Sequence, residues 1–169
     1  MMQQVDHDID DRLYRNVMGS FATGVTVITT EVDKVVHGMT ANAFMSVSLN
    51  PKLVAISIGE NARMLQHIKD SKRFAINILS SNQQNKSKQF AGQLKSESEV
   101  TFTYFKGLPI LEDTLAVITC DLNSEYVVGD HTIFIGHVTG VKLEQKDPLL
   151  FSQGKYRELK ELEELETTT

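Results

Sequence analysis

The sequence predicts a mainly β protein, an antiparallel β-barrel with a few peripheral α-helices. Many short β-branched or alternating apolar runs follow one another at close spacing. They are not separated regularly by helix-length segments, as parallel βαβ units would require. The length of 169 residues suits one domain, able to bury a sizeable core without disulfides or a structural metal.

Along the chain, Asp10 or Asp11 caps a first helix with an apolar face of Leu13, Val17, Met18 and Phe21, ended by Gly24. Val25 to Thr30 is β-branched and reads as a strand, with Glu31 to Lys34 as a polar turn. Val35 to Ala41 and Phe44 to Leu49 read as two further strands, and Asn50-Pro51 makes a turn. Leu53 to Ile58 is again a strand, and Asn61 caps a short helix carrying Met64, Leu65 and Ile68. Phe74 to Leu79 is strand-like. Ser81 or Asn82 opens a polar helix that reaches Phe90 and is terminated by Gly92. Gln93 to Glu99 reads as an exposed connection. Later strands are expected over Thr101 to Phe105, Leu115 to Leu122, His131 to Val138 and Val141 to Glu144. The organisation is an extension over 1–10, one domain over 11–156, and an acidic helix or tail over 157–169.

A net charge of −5 argues against a dedicated nucleic-acid binder, which would show a basic face. The acidic N-terminus lacks the apolar stretch of a signal peptide, and no apolar run approaches a membrane span. A cytoplasmic location is expected. The single cysteine, Cys120, lies in a strand-like run with no electropositive motif beside it, and reads as a buried structural thiol.

No Gly-x-Gly-x-x-Gly follows a strand and no Walker-type loop occurs. No cysteine pair or close histidine pair marks a metal site. His131 and His137 share a strand face at too long a spacing for one metal. His7, His37, His67 and His137 read as structural or surface residues.

The segment Gly38-Met39-Thr40-Ala41-Asn42-Ala43 combines small residues with two hydrogen-bonding groups. It suits close approach of a flat ligand to the backbone, or an ordinary strand end and Asn turn. Ser46, Ser48 and Ser57 lie in otherwise apolar strands, where a ligand or a backbone carbonyl satisfies their hydroxyls equally well. Arg63 near a helix start suits a phosphate, and equally a solvated surface. Phe90 reads as core, with the Ala91-Gly92 amides as possible phosphate donors. In Gly129-Asp130-His131, Asp130 either fixes the ring and tautomer of His131 or bonds its own backbone.

Taken in order, five stretches resemble the flavin reductase-like family, with its FMN-binding split barrel. They are Phe21 to Thr29, Gly38 to Phe44, Ser46 to Pro51, Phe90-Ala91-Gly92 and Gly129-Asp130-His131. The Gly154-Lys155-Tyr156 ending is similar to the small reductase component of two-component phenol or 4-hydroxyphenylacetate monooxygenases. The resemblance implies a Greek-key split barrel, a homodimer, and NADH- or NADPH-dependent reduction of FAD or FMN for a separate oxygenase. It implies that Thr40, Ala41 and Asn42 contact the flavin and that Ser46 and Ser57 line its ring or ribityl chain. Arg63, Phe90, Ala91 and Gly92 would approach the phosphate, and His131 would sit near the flavin ring and nicotinamide. Hydride transfer to a flavin needs two flat rings held in contact rather than a protein acid, base or metal. The alternatives are a flavin store or sensor without reductase activity, a split-barrel dimer that binds no flavin, and a pyridoxamine phosphate oxidase-like enzyme.

Overall fold

The computed structural model describes residues 9–94 and 99–160. Helix α1 (Asp11–Gly19) starts at Asp10, whose carboxylate accepts from the Leu13 amide at 3.0 Å. It ends at Gly19 rather than at Gly24, because Gly24 belongs to a short strand, β1 (Thr23–Gly24), that pairs with Leu150 and Phe151. Phe21 therefore lies beyond the helix. None of the helix's own residues is buried.

A seven-stranded antiparallel sheet forms the body. Its strands are β2 (Thr26–Val32), β3 (Val35–Ala41), β4 (Phe44–Leu49), β5 (Lys52–Gly59), β6 (Arg73–Ile78), β9 (Ala116–Val128) and β10 (His131–Leu143). The spatial order is β3-β2-β6-β9-β10-β5-β4. The two outermost strands, β3 and β4, are consecutive in the chain and joined only by Asn42 and Ala43. That short link draws the sheet's two edges together at one corner, so the sheet curls into a barrel. The Ser57 amide donates to the Ala43 carbonyl at 3.1 Å and fixes the same corner.

Two-residue turns set the register. Asp33 and Lys34 both have positive φ (52° and 65°), which matches the right-handed twist of the β2–β3 hairpin. Gly129, at φ 61°, occupies the first turn position between β9 and β10, where a side chain would be strained. Both long strands run further than expected. The polar Asn123, Ser124 and Glu125 interrupt the apolar pattern, and Asn123 is skipped in a bulge opposite Ile135/Gly136, yet pairing continues on both sides of it. Strand β10 takes in Val141 to Leu143 of the expected Val141–Glu144 strand, past a second irregularity at Val138/Gly140.

The main core joins Ile28, Ile56, Ile58, Phe74, Ile76 and Phe134 with Met64 and Ile68 of helix α2 (Arg63–Ser71). The N-cap of α2 is Ala62 rather than Asn61, and no side chain caps it. Ser80, rather than Ser81 or Asn82, opens the next helical segment through a capping box with Gln83, and a 3₁₀ turn leads into α3 (Gln84–Phe90). Four strands were not anticipated, β1 among them. Strand β8 (Leu108–Leu111), paired with β7 (Phe102–Phe105), contains Pro109, which this two-stranded ribbon tolerates. The hairpin of β11 (Leu150–Ser152) and β12 (Lys155–Arg157) has strands too short for any periodicity. Asn77 ties these layers together at full burial, donating to the Val27 carbonyl and Thr29 hydroxyl and accepting from the Leu111 amide. Of the acidic helix or tail expected over 157–169, Arg157 closes β12 and 158–160 are not helical. Residues 161–169, and 95–98 of the connection at 93–99, lie outside the described residues.

Candidate active site

The site grows from the β3–β4 corner. Gly38 lets helix α3 press against β3: a Cβ built there would stand 2.4 Å from Phe90 Cε1 and 2.6 Å from Cδ1. Thr40 locks the same contact, its hydroxyl donating to the Ser87 carbonyl at 2.7 Å. Ser87 in turn shares a hydrogen bond of 2.9 Å with the Tyr156 hydroxyl on β12. Thr40 therefore spends its hydroxyl on joining β3 to α3 and contributes its position to the site.

Between β3, the start of α2 and the end of α3 lies a cavity of about 870 Å³. Its size falls within the range of nucleotide-sized ligand sites. Met39, Phe90, Val100 and Phe102 supply apolar walls, and Arg63, His37 and His67 supply polar ones. The fold thus brings together four sequence-predicted residues, Arg63, Phe90, Ala91 and Gly92. The backbone chemistry expected of two of them differs: the Ala91 amide donates to Ser87 and the Gly92 amide to Gln89, both at 3.0 Å. These amides close the C-terminus of α3, where the helix dipole disfavours an anion, so the segment offers surface rather than phosphate donors.

Sequence reasoning passed over His37 and His67. Their rings stack with centroids 3.6 Å apart and planes 12° apart. Burial, and secondarily the neighbouring His67, hold the His37 pKa below its usual value. No local signal could have found this pair, because its members come from β3 and α2, thirty residues apart.

Ala41, Asn42, Ser46 and Ser57 are not among the residues lining this cavity. Asn42 is exposed and donates to the Thr23 hydroxyl at 3.1 Å. Ser46 is exposed on β4 opposite Val54, and Ser57 is half-buried on β5 opposite Ile133. His131 begins β10 opposite Gly59, with its Nε2 3.6 Å from where a Gly59 Cβ would be. It is not among the residues lining the large cavity. Its Nδ1 lies 2.7 Å from the Asp130 carboxylate, the pairing expected from the sequence. The bond from His131 holds the Asp130 pKa below the ordinary carboxylate value. With Nδ1 engaged, Nε2 is the ring nitrogen presented elsewhere.

Cys120 is fully buried, and burial, then the neighbouring Asp121, pushes its pKa up to about 12. A thiol so placed stays protonated and does no chemistry. Among the described residues no helix is long and apolar enough to cross a membrane.

Comparison with known proteins identifies the family. The model of the flavin reductase like domain matches residues 18–160. An NADH-dependent flavin reductase from Rhodococcus sp. is 38% identical over 159 residues, covering 92% of this chain and 90% of the relative. The reductase component of 4-hydroxyphenylacetate 3-monooxygenase from Thermus thermophilus is 37% identical over 147 residues, covering 86% and 95%. The solved structure of flavin reductase PheA2 in its native state is similar with a TM-score of 0.90 and 59% identity, over 90% of this chain and 100% of that one. The split-barrel fold, the β3–β4 corner and these matches agree, and the chain belongs to the flavin reductase-like family.

Proposed function

We propose that this protein is an NADH-dependent flavin reductase that reduces FAD or FMN and releases it to a separate oxygenase. The observation that carries the reading is the cavity between β3, α2 and α3: apolar walls face Arg63 and two histidines there, in a chain of this family. The residues fit a flavin nucleotide. Met39, Phe90 and Phe102 suit a flat aromatic ring, and Arg63 suits its phosphate. Bound flavin supplies a ring nitrogen that accepts hydride from a dihydronicotinamide.

The chain's own residues bind and orient. Ala41 and Asn42 let a ring lie close to the backbone, and Ser46 and Ser57 line the neighbouring strands. Phe90, Ala91 and Gly92 wall the cavity. His131, held by Asp130, presents Nε2 as a positioning contact for the nicotinamide. NADH is favoured over NADPH by the relatives named as NADH-dependent. The oxygenase partner follows from relatives named as reductase components or subunits of monooxygenases.

We place the protein in the cytoplasm as a homodimer with one split-barrel domain over 11–156. Support for the dimer comes from apolar side chains left exposed on one chain, including Val17, Met18, Phe21, Met45, Leu49 and Val127. Sedimentation of a single 18.9 kDa species at micromolar concentration would remove that part of the reading.

Steady-state oxidation of NADH with added FAD, FMN or riboflavin tests the activity. The expected result is flavin-dependent turnover, with His131→Asn raising KM for NADH by about fivefold, the loss of one hydrogen bond of about 1 kcal/mol. NADH oxidation no faster than in protein-free flavin solution would overturn the reductase reading.

A further inference from the structure

We propose that the stacked His37–His67 pair, together with Arg63, forms a proton-linked site for the diphosphate of a dinucleotide. The proposal rests on the flavin reductase reading and deepens it, by assigning the Arg63 and histidine side of the cavity to the charged part of the ligand.

Two imidazolium rings with centroids 3.6 Å apart repel strongly, so the free protein disfavours protonating both. An anion in the cavity reverses that preference, because each proton taken up then gains an attractive partner. Arg63 stands four residues before His67 in α2, which places both on one helix face toward the same cavity. Its guanidinium supplies the permanent charge, and His37 in the stacked pair supplies the titrating part.

The surrounding charges leave this cluster to an external anion. The one carboxylate lining the cavity among the described residues is Glu99, and α3 contributes no charged group to the lining. On β2, Glu31 accepts a hydrogen bond from the Tyr104 hydroxyl. On α2, Asp70 accepts from Gln66 at 2.7 Å, and Lys69 pairs with Glu125 at 3.2 Å. Among the described residues, none of these carboxylates hydrogen-bonds or ion-pairs with either histidine. The burial that keeps His37 neutral in the free protein leaves it with a proton to gain on binding.

A diphosphate suits this site better than a phosphomonoester as a reporter, because a phosphomonoester itself titrates near pH ~6. Both FAD and NADH carry a diphosphate, whereas riboflavin carries no phosphate.

The test measures dissociation constants for FAD, NADH and riboflavin by titration calorimetry of the full chain. Measurements run from about pH 8 to about pH 6, across the ordinary histidine pKa. Repeating them in buffers of different ionisation enthalpy reads proton uptake directly. The expected result is roughly five- to tenfold tighter dinucleotide binding at the lower pH, with net proton uptake and a flat riboflavin profile. His67→Gln and His37→Gln should each reduce the slope, and thermal melts of both variants confirm folding. If His37→Gln does not fold, His67→Gln on the half-buried face of α2 carries the same test. A slope for FAD alone assigns the site to the flavin, and a slope for NADH alone assigns it to the nicotinamide nucleotide. Equal slopes for FAD, NADH and riboflavin, flat profiles for both dinucleotides, or an undiminished slope in the histidine variants would overturn the proposal. Folded protein that binds neither FAD nor riboflavin at any pH would instead overturn the flavin reading beneath it.

Discussion

Gly38→Ala is the smallest change that should damage the site without touching a polar group. The added methyl would lie 2.4 Å from Phe90 Cε1, so restoring van der Waals contact requires the ring to move by about 1 Å. Its freedom to do so is limited. Phe102 lies on another side with a centroid distance of 6.2 Å, and Phe90 packs against the cluster of Val25, Val27 and Leu79. Overpacking of this kind costs about 1–3 kcal/mol. Because Phe90 ends α3, its retreat carries Ala91 and Gly92 with it and alters the cavity wall. Urea unfolding should show a lower midpoint at unchanged slope, and kcat/KM for flavin should fall on the order of tenfold. The decisive comparison repeats Gly38→Ala in a Phe90→Leu background, where the smaller side chain leaves room for the methyl. The cost should shrink there by about 1 kcal/mol or more. Equal cost in both backgrounds would refute the reasoning, since Phe90 would then not be what Gly38 accommodates.

Asn77→Ala should destabilise the protein by about 3 kcal/mol without affecting the site directly. It strips partners from the Leu111 amide, the Val27 carbonyl and the Thr29 hydroxyl at full burial, which chemical denaturation would register. Cys120 should resist a thiol-reactive dye in native buffer and react at once in denaturant, so rapid native labelling would contradict its burial. The depressed pKa of His37 makes its contribution to stability present above the unfolded value near pH ~6.5, and lost as pH falls through the lower folded value. The melting temperature should therefore drop more between about pH 7 and about pH 5 in the natural protein than in His37→Gln.

Much of the barrel was legible because its turns announce themselves. Strands β3 and β4 have the bounds read from the sequence, set by Asp33-Lys34 on one side and Asn50-Pro51 on the other. Strands β1, β8, β11 and β12 were not legible, being two to four residues long, one of them with a proline inside. The length of β9 was hidden by Asn123 and Glu125, polar residues on an exposed stretch of ribbon that pairs regardless of burial. At the site, Asp130 and His131 are neighbours in sequence, and their bond was anticipated. Arg63 and Phe90, far apart in sequence, line one cavity. The role of Thr40 as a strut to α3, the occupied amides of Ala91 and Gly92, and the His37–His67 stack depend on how α2 and α3 dock on β3. That docking is a tertiary fact with no local pattern to betray it.

The most direct test of the central claim is anaerobic absorbance in the flavin bands, with purified protein, FAD or FMN, and NADH. The account predicts rapid bleaching that requires the protein and consumes one NADH per flavin, faster with NADH than with NADPH. Flavin that binds yet stays oxidised with both nicotinamides would contradict it, leaving a flavin-binding split barrel that is not a reductase.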